Sequence, residues 1–198
     1  MTRVLSSSQS YPKKKLSGGV VQSDLAAAAA VSLVVQKTIQ IQGYEGKILM
    51  EFALENLAQV RREIEPLLEE HYKEIALDKD VIKLNPNWRA YAELDSINAL
   101  RIYTARKDGV MLGYFVVIVS ASLHYRDHLF ANNDVIFLTK AARKGLTGLK
   151  LVKFGMNSLK AEGVTKLHIN TKLHQPFDPI MERLDFKEIE KVYSKVLR

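Results

Sequence analysis

The spacing of hydrophobic positions changes several times along the chain, and each change marks an element. Between residues 52 and 75, Leu54, Leu57, Val60, Ile64, Leu67 and Leu68 recur mostly at intervals of three and four, the stripe of an amphipathic helix. Pro66 lies inside that stripe, so the pattern predicts one kinked helix or two shorter ones. A short strand-like run, residues 47–50, precedes it. Asn85-Pro86-Asn87 reads as a turn, followed by a helical patch with Trp88 and Tyr91. Residues 100–105 and 110–120 are rich in β-branched and aromatic side chains and flank Lys107-Asp108-Gly109. Asp-Gly between two such runs predicts a hairpin, because both residues accept the positive φ of the favoured turns. Residues 134–139 predict another strand. Residues 148–161 carry a second helical stripe, Leu149, Val152, Met156 and Leu159, with Gly163 as its stop. A strand over 166–171, a short helix over 179–184 and one or two strands over 187–197 complete the pattern. This order predicts an α/β (α+β) protein built on a mixed sheet flanked by helices.

The N-terminal region breaks the pattern. Before Asp24 the chain holds Arg3, Lys13, Lys14 and Lys15 and no acid, among many Ser and Gly and few large apolar groups. Such a stretch buries too little to offset the entropy of ordering, so residues 1–42 read as a basic, Ser/Gly/Ala-rich arm ahead of a domain over 43–198. Within the arm, the run of residues 25–35 is about half the roughly 20 apolar residues that a membrane span needs. It reads as a short element that docks on its own domain or on a partner. The basic cluster sits inside the chain and Asp24 interrupts the approach, which argues against a signal peptide.

Charge and composition then narrow the chemistry. The 198 residues carry a net charge of +7, which points to an anionic partner such as nucleic acid, headgroups or a phosphorylated small molecule. Composition alone does not choose among these, but as a function a nucleic-acid-binding module ranks last, since the chain has no zinc-finger spacing, no aromatic RNA-binding motif and no convincing helix-turn-helix. With 0 Cys there is no disulfide framework, no thiolate nucleophile and no Cys-ligated metal. His124 and His128 stand four apart, but they lie in a loop and lack a third ligand, so no metal site is expected. His168 and His174 read as sheet or loop hydrogen-bonders.

The sharpest local feature is the junction of residues 140–148, Lys-Ala-Ala-Arg-Lys-Gly-Leu-Thr-Gly, which joins a buried-type strand to an amphipathic helix. A helix N-terminus offers unpaired N–H groups and a partial positive charge, so such a turn can hold a phosphate or pyrophosphate. It is not a P-loop, because Leu149-Lys150 stands where Lys-Ser/Thr should follow the last Gly, and it matches no dinucleotide fingerprint.

Taken together with their order, these pieces resemble the GNAT superfamily of acyl-CoA-dependent N-acyltransferases, particularly the compact members encoded by tailed bacteriophages. The resemblance runs from about residue 44 to the C-terminus. It rests on Pro66-Leu67-Leu68 to His71, the hairpin at Asp108-Gly109 with Gly113-Tyr114, Leu123-His124-Tyr125 and Asn133-Asp134 opening a strand. It continues with the turn from Arg143 to Gly148, the helix end Lys160-Ala161-Glu162-Gly163-Val164, and Glu182-Arg183-Leu184-Asp185-Phe186. The family turn runs Arg/Gln-x-x-Gly-x-Gly/Ala. Arg143 and Gly148 match its ends, while Leu146 replaces the middle Gly and Gly145 stands one place earlier. Leu184-Asp185-Phe186 occupies the place of a late Leu-Gly-Phe, and the tyrosine that often protonates the leaving thiolate from the late helix is missing.

The resemblance implies a splayed sheet in which acetyl-CoA lies between two parting strands, 134–139 and 166–171. It implies backbone contacts to the pantetheine arm near Leu138 and Thr139, with Asn170 on the facing strand. Amides of Arg143, Lys144, Gly145, Leu146, Thr147 and Gly148 would take the pyrophosphate. For the reaction it implies direct transfer to an amine, on a protein or small molecule, with Asp134 as the first candidate base and His124 as the second. Tyr125 or Tyr193 is the candidate to return a proton to the thiolate. A turn before a strand is the competing reading of Asp134 after Asn132-Asn133. The alternative function is a virion structural or interaction protein that keeps the fold without turnover, its arm gripping neighbouring subunits. The expected location is the cytoplasm, that of the host for a phage protein, or the virion.

Overall fold

A computed structural model describes residues 50–197 of the chain. Its five strands form one sheet in sequence order: β1 (Met50–Glu55), β2 (Leu100–Lys107), β3 (Val110–Ala121), β4 (Leu129–Leu138) and β5 (Val164–His168). The pairs β1–β2, β2–β3 and β3–β4 are antiparallel, and β5 is parallel to β4. A parallel neighbour needs a crossover, and a helix between β4 and β5 supplies it. In chain order the helices are α1 (Leu57–Ile75), α2 (Trp88–Ser96), α3 (Thr147–Ala161), which makes that crossover, and α4 (Asp178–Arg183). The mixed, helix-flanked sheet is the α/β architecture that the periodicity predicts. At the β2–β3 hairpin Asp108 and Gly109 take φ of 52° and 78°, the left-handed values that its tight turn requires.

The first helix begins later than its stripe suggests. Residues 52–55 belong to β1, where Phe52 is buried with Met50 and Leu54 packed beside it, alternate positions sharing one face. A reciprocal cap then starts α1. Asn56 Oδ1 accepts from the Gln59 N–H (3.0 Å), and the Asn56 N–H donates to Gln59 Oε1 (2.9 Å). α1 runs through Pro66 as a single helix. Its buried residues Leu57, Val60 and Ile64 before the proline and His71 after it lie on one stripe, so packing on the sheet holds both halves together.

Each face of the sheet has its own core. On one, Leu57, Val60 and Ile64 of α1 meet Ile102, Tyr114, Val116 and Phe137. On the other, Leu151 and Leu159 of α3 meet Tyr103, Phe115 and Val117. Gly155 sets how close α3 comes: a Cβ there would lie 2.9–3.0 Å from the rings of Phe115 and Tyr103.

Two expectations change. Asn132 and Asn133 lie within β4, not in a turn before it. The strands expected over 187–197 are absent: among the described residues no strand follows β5, and Val192, Tyr193 and Leu197 are exposed. Strand-prone residues become a strand only against a paired neighbour. The arm over 1–42 and its Ala/Val run lie outside the described residues.

The close approach at Gly155 makes a direct prediction. Gly155→Leu forces the Phe115 and Tyr103 rings aside, and urea denaturation should show about 1–3 kcal/mol of lost stability.

Candidate active site

β4 is two different strands along its length. From Leu129 to Asn132 it pairs with β3 on one side and β5 on the other, and the pairing with β5 ends at Asn132 opposite His168. Beyond that point β4 keeps β3 alone among the described residues. Asparagine side chains finish the junction: His168 Nδ1 meets Asn132 Oδ1 (2.9 Å), and Asn133 Oδ1 accepts from the Asn170 N–H (2.6 Å). The second bond replaces a ladder bond just where the two strands part.

The opposite register slips at the same place. Val116 pairs with Val135 and Val117 with Asn133, so Asp134 is the extra residue of a β-bulge. Bulges re-aim side chains, and the Asp134 carboxylate meets α2, where Tyr91 Oη donates to Oδ2 (2.5 Å). Burial and the adjacent carboxylate push the Tyr91 phenol well above its usual range, so it remains a donor at neutral pH.

Past the bulge the strand leaves an open backbone edge. The Thr139 N–H donates to Leu112 O (2.8 Å) on the β3 side. Because strand groups alternate, Phe137 also faces β3, while Ile136 and Leu138 turn N–H and C=O away from it. A cleft of about 510 Å³ lies along this edge. It is lined by Asn133 to Leu138, by Arg143, Gly145 and Gly148 of the next turn, by His71 and Glu74 of α1, and by Asn170 and Lys172 after β5. Two links tie its walls. His174 Nε2 meets Ile75 O at 3.1 Å. Arg143 donates from Nε to Leu138 O (2.8 Å) and makes a two-pronged pair with the Glu74 carboxylate, Nη2 to Oε2 at 2.7 Å. That pair lowers the Glu74 carboxyl below its usual range and raises the guanidinium further.

At the far end, a 3₁₀ turn (Lys140–Arg143) leads through Gly145, at φ 76°, into α3. No side chain caps the helix among the described residues, so its first-turn amides have no side-chain partner, and Gly148 of that turn lines the cleft. A Cβ at Gly148 would lie 2.9 Å from Ile180 Cδ1 and 3.4 Å from Leu138 Cδ1, leaving little room there for a side chain.

No protein-family model matches the chain, and no curated protein matches it in sequence. Solved structures do. The ribosomal-protein-alanine N-acetyltransferase from Brucella melitensis biovar Abortus 2308 is similar over 75% of this chain and 98% of its own, at 19% identity and a TM-score of 0.54. The glucosamine-6-phosphate N-acetyltransferase from Arabidopsis thaliana covers 75% of this chain and 99% of its own, at 14% identity and a TM-score of 0.59. The structure of AAC(6')-Iy in complex with the bisubstrate analog CoA-S-monomethyl-acetylneamine matches at 16% identity and a TM-score of 0.53, over 75% and 98% of the two chains. The chain has the GNAT fold.

Within that fold the residues singled out from sequence divide into two groups. Asp134, Leu138, Arg143, Gly145, Gly148 and Asn170 all line the cleft. Lys144, Leu146 and Thr147 belong to the same turn without lining the cleft, and Thr147 is buried. Thr139 directs its N–H to β3, so Ile136, and not Thr139, shares the open edge with Leu138. His124 and Tyr125 sit in the exposed β3–β4 loop, beyond the end of β4 at which β5 is still paired, and do not line the cleft. The irregular turn also fits its backbone. Leu146 takes an ordinary φ of −106°, and the positive φ falls on Gly145. Asp185 likewise holds φ 58°, a left-handed value that glycine takes freely and Asp tolerates.

Sequence reasoning missed His71, Glu74, Asn133 and Lys172, which line the cleft, and Tyr91, which donates to Asp134 from α2. His71 is buried and stacks on Phe137 with ring centroids 5.0 Å apart. Burial first, with Arg143 and Lys172 adding to it and Glu74 opposing, brings its pKa down to about 4. The imidazole is therefore neutral at physiological pH. Its folded pKa lies below the unfolded 6.5, so its contribution to stability is present above pH 6.5 and is lost as pH falls towards 4. Thermal melts should show the wild type losing stability over that window and His71→Phe losing less. Parallel pH profiles for the two proteins would contradict the assignment.

Proposed function

We propose that the protein is an N-acetyltransferase that moves an acetyl group from acetyl-CoA directly to an amine. The observation that carries this is the meeting, in one cleft, of an open strand edge, a helix N-terminus without a side-chain cap and a carboxylate on a bulge. From Asp134 to Leu138 is roughly 13 Å of strand. Ile136 and Leu138 would pair with the amides of the pantetheine arm as an added strand does. The first-turn amides of α3 would receive the pyrophosphate, with Lys144 exposed beside them. Arg143 is already matched by Glu74, so it holds the turn against α1 more than it supplies free positive charge.

The chemistry starts from a protonated amine. Removing a proton from a lysine-like group at pH 7 costs about 4–5 kcal/mol. Asp134, open to solvent at the cleft, would accept that proton directly or through one water, and the Tyr91 hydroxyl holds the carboxylate in place. The amine then attacks the thioester carbonyl, the C–S bond breaks, and the thiolate takes up the proton that the attacking nitrogen sheds, leaving as the free thiol. With 0 Cys in the chain, transfer through a cysteine acyl-enzyme is not open to it. The similar structures include a ribosomal-protein-alanine N-acetyltransferase and a glucosamine-6-phosphate N-acetyltransferase, and an amine is the acceptor class proposed for this chain.

Acetyl-CoA at a hundredfold excess over Kd should stabilise the protein by about 2.7 kcal/mol, a rise in Tm of roughly 5–10 °C. Gly148→Trp should remove that shift while the variant still unfolds cooperatively. Asp134→Asn should keep the shift and lose about 10²–10⁴-fold in turnover, measured as thiol release with a panel of amines. A fold kept for assembly alone would give no shift at millimolar acetyl-CoA, and that result would overturn the proposal.

A further inference from the structure

We propose that the amine acceptor also carries an anionic group, a carboxylate or a phosphate, which Lys172 binds while Asp134 faces the amine. The proposal rests on the acetyl-transfer reading of the cleft and adds the acceptor's chemical class to it. It starts from the charges that line the cleft: Glu74, Asp134, Arg143 and Lys172. Glu74 and Arg143 are matched to each other in their two-pronged pair. Asp134 and Lys172 have no salt-bridge partner among the described residues, so the cleft presents one open charge of each sign. His71 is neutral at physiological pH and adds none. A plain amine would answer Asp134 alone and leave the Lys172 ammonium without a counter-charge.

The backbone fixes where Lys172 starts. Its carbonyl accepts from the Gln175 N–H (3.0 Å) in a turn that a bridge between these two residues closes. His174 of the same turn meets Ile75 O at the end of α1 (3.1 Å). On the other side, the Asn170 N–H is bonded to Asn133, the neighbour of Asp134 (2.6 Å). Two residues of chain reach at most about 7 Å, so Lys172 leaves the wall near the end of the cleft that holds Asp134. The face of the sheet separates acceptor from cofactor. α1 and α2 pack on one face and α3 on the other. Asp134 meets Tyr91 of α2, and Lys172 is one of the cations that act on buried His71 of α1, so both open charges work on the α1/α2 side. The start of α3, which would take the pyrophosphate, belongs to the helix on the opposite face and has Lys144 exposed beside it. A carboxylate or phosphate on the acceptor would take a charge-assisted hydrogen bond from Lys172, which a neutral analogue cannot make.

The test uses the full chain and measures kcat/KM by thiol release for matched amines at one pH. The pairs are 2-aminoethyl phosphate with ethanolamine, glucosamine 6-phosphate with glucosamine, and 4-aminobutanoate with 4-aminobutanamide. The first two report a phosphate and the third a carboxylate. In at least one pair the wild type should favour the anionic member by about tenfold or more. Lys172→Ala should bring that member down to its neutral twin, Lys172→Arg should restore the preference, and Lys172→Glu should invert it. The Kd of acetyl-CoA, read from thermal shifts, should stay that of the wild type in all three variants. A wild type that binds acetyl-CoA and favours no anionic member would overturn this inference and leave the transferase reading standing. Lys172→Glu weakening acetyl-CoA itself would also overturn it, since Lys172 would then serve the cofactor's phosphates. No thermal shift with acetyl-CoA in the wild type would overturn both.

Discussion

Everything at the cleft depends on β4 losing one neighbour halfway along while keeping the other. A strand that parts from its partner exposes backbone groups that a sheet normally satisfies, and a dry, unpaired group costs roughly 1–3 kcal/mol. The chain meets this demand with particular side chains. Asn133 takes the Asn170 N–H where the ladder stops, and Arg143 Nε takes the Leu138 carbonyl at the far end. Between them the groups of Ile136 and the Leu138 N–H stay turned away from β3, beside the cleft. The bulge at Asp134 follows from the same local break in register, and it brings a carboxylate to the open side.

The charges of the cleft are one matched pair, Glu74 with Arg143, and two groups without a salt-bridge partner among the described residues, Asp134 and Lys172. Glu74 and Arg143 neutralise each other across the mouth, joining the end of α1 to the turn before α3. His71, packed on Phe137 beside that pair, is held neutral by burial, and Tyr91 is held protonated by burial and by Asp134. Asp134 is exposed, accepts from Tyr91 and has no salt-bridge partner among the described residues. Positive potential at the cleft comes from the uncapped start of α3, a backbone feature that composition cannot reveal, and from Lys144 and Lys172.

The parts of this structure that local rules govern were legible in the sequence. Asp108-Gly109 announces its hairpin, Gly163 ends α3, and the turn before α3 marks one end of the cleft. The helix start was missed although Asn56 and Gln59 carry a capping box, because the apolar stripe was read through Leu54, which faces the core from a strand. Residues that depend on tertiary meeting were not legible. Glu74 and Arg143 are 69 positions apart and Tyr91 and Asp134 are 43 apart, and neither spacing carries a local signal. His124 and Tyr125 were favoured by chemistry alone, and the β3–β4 loop places them at the wrong end of the strand to line the cleft. Thr139 fell to parity: one step along a strand turns a backbone group to the other side.

The most direct test of the account is amide-resolved hydrogen exchange by NMR, with and without acetyl-CoA. If the open edge of β4 and the first turn of α3 are the binding elements, exchange at Ile136, Leu138, Thr147 and Gly148 slows on addition. Thr139, already bonded to Leu112 across the sheet, changes little. Unchanged exchange along the β4 edge at saturating acetyl-CoA, or protection confined to another face of the sheet, would contradict it.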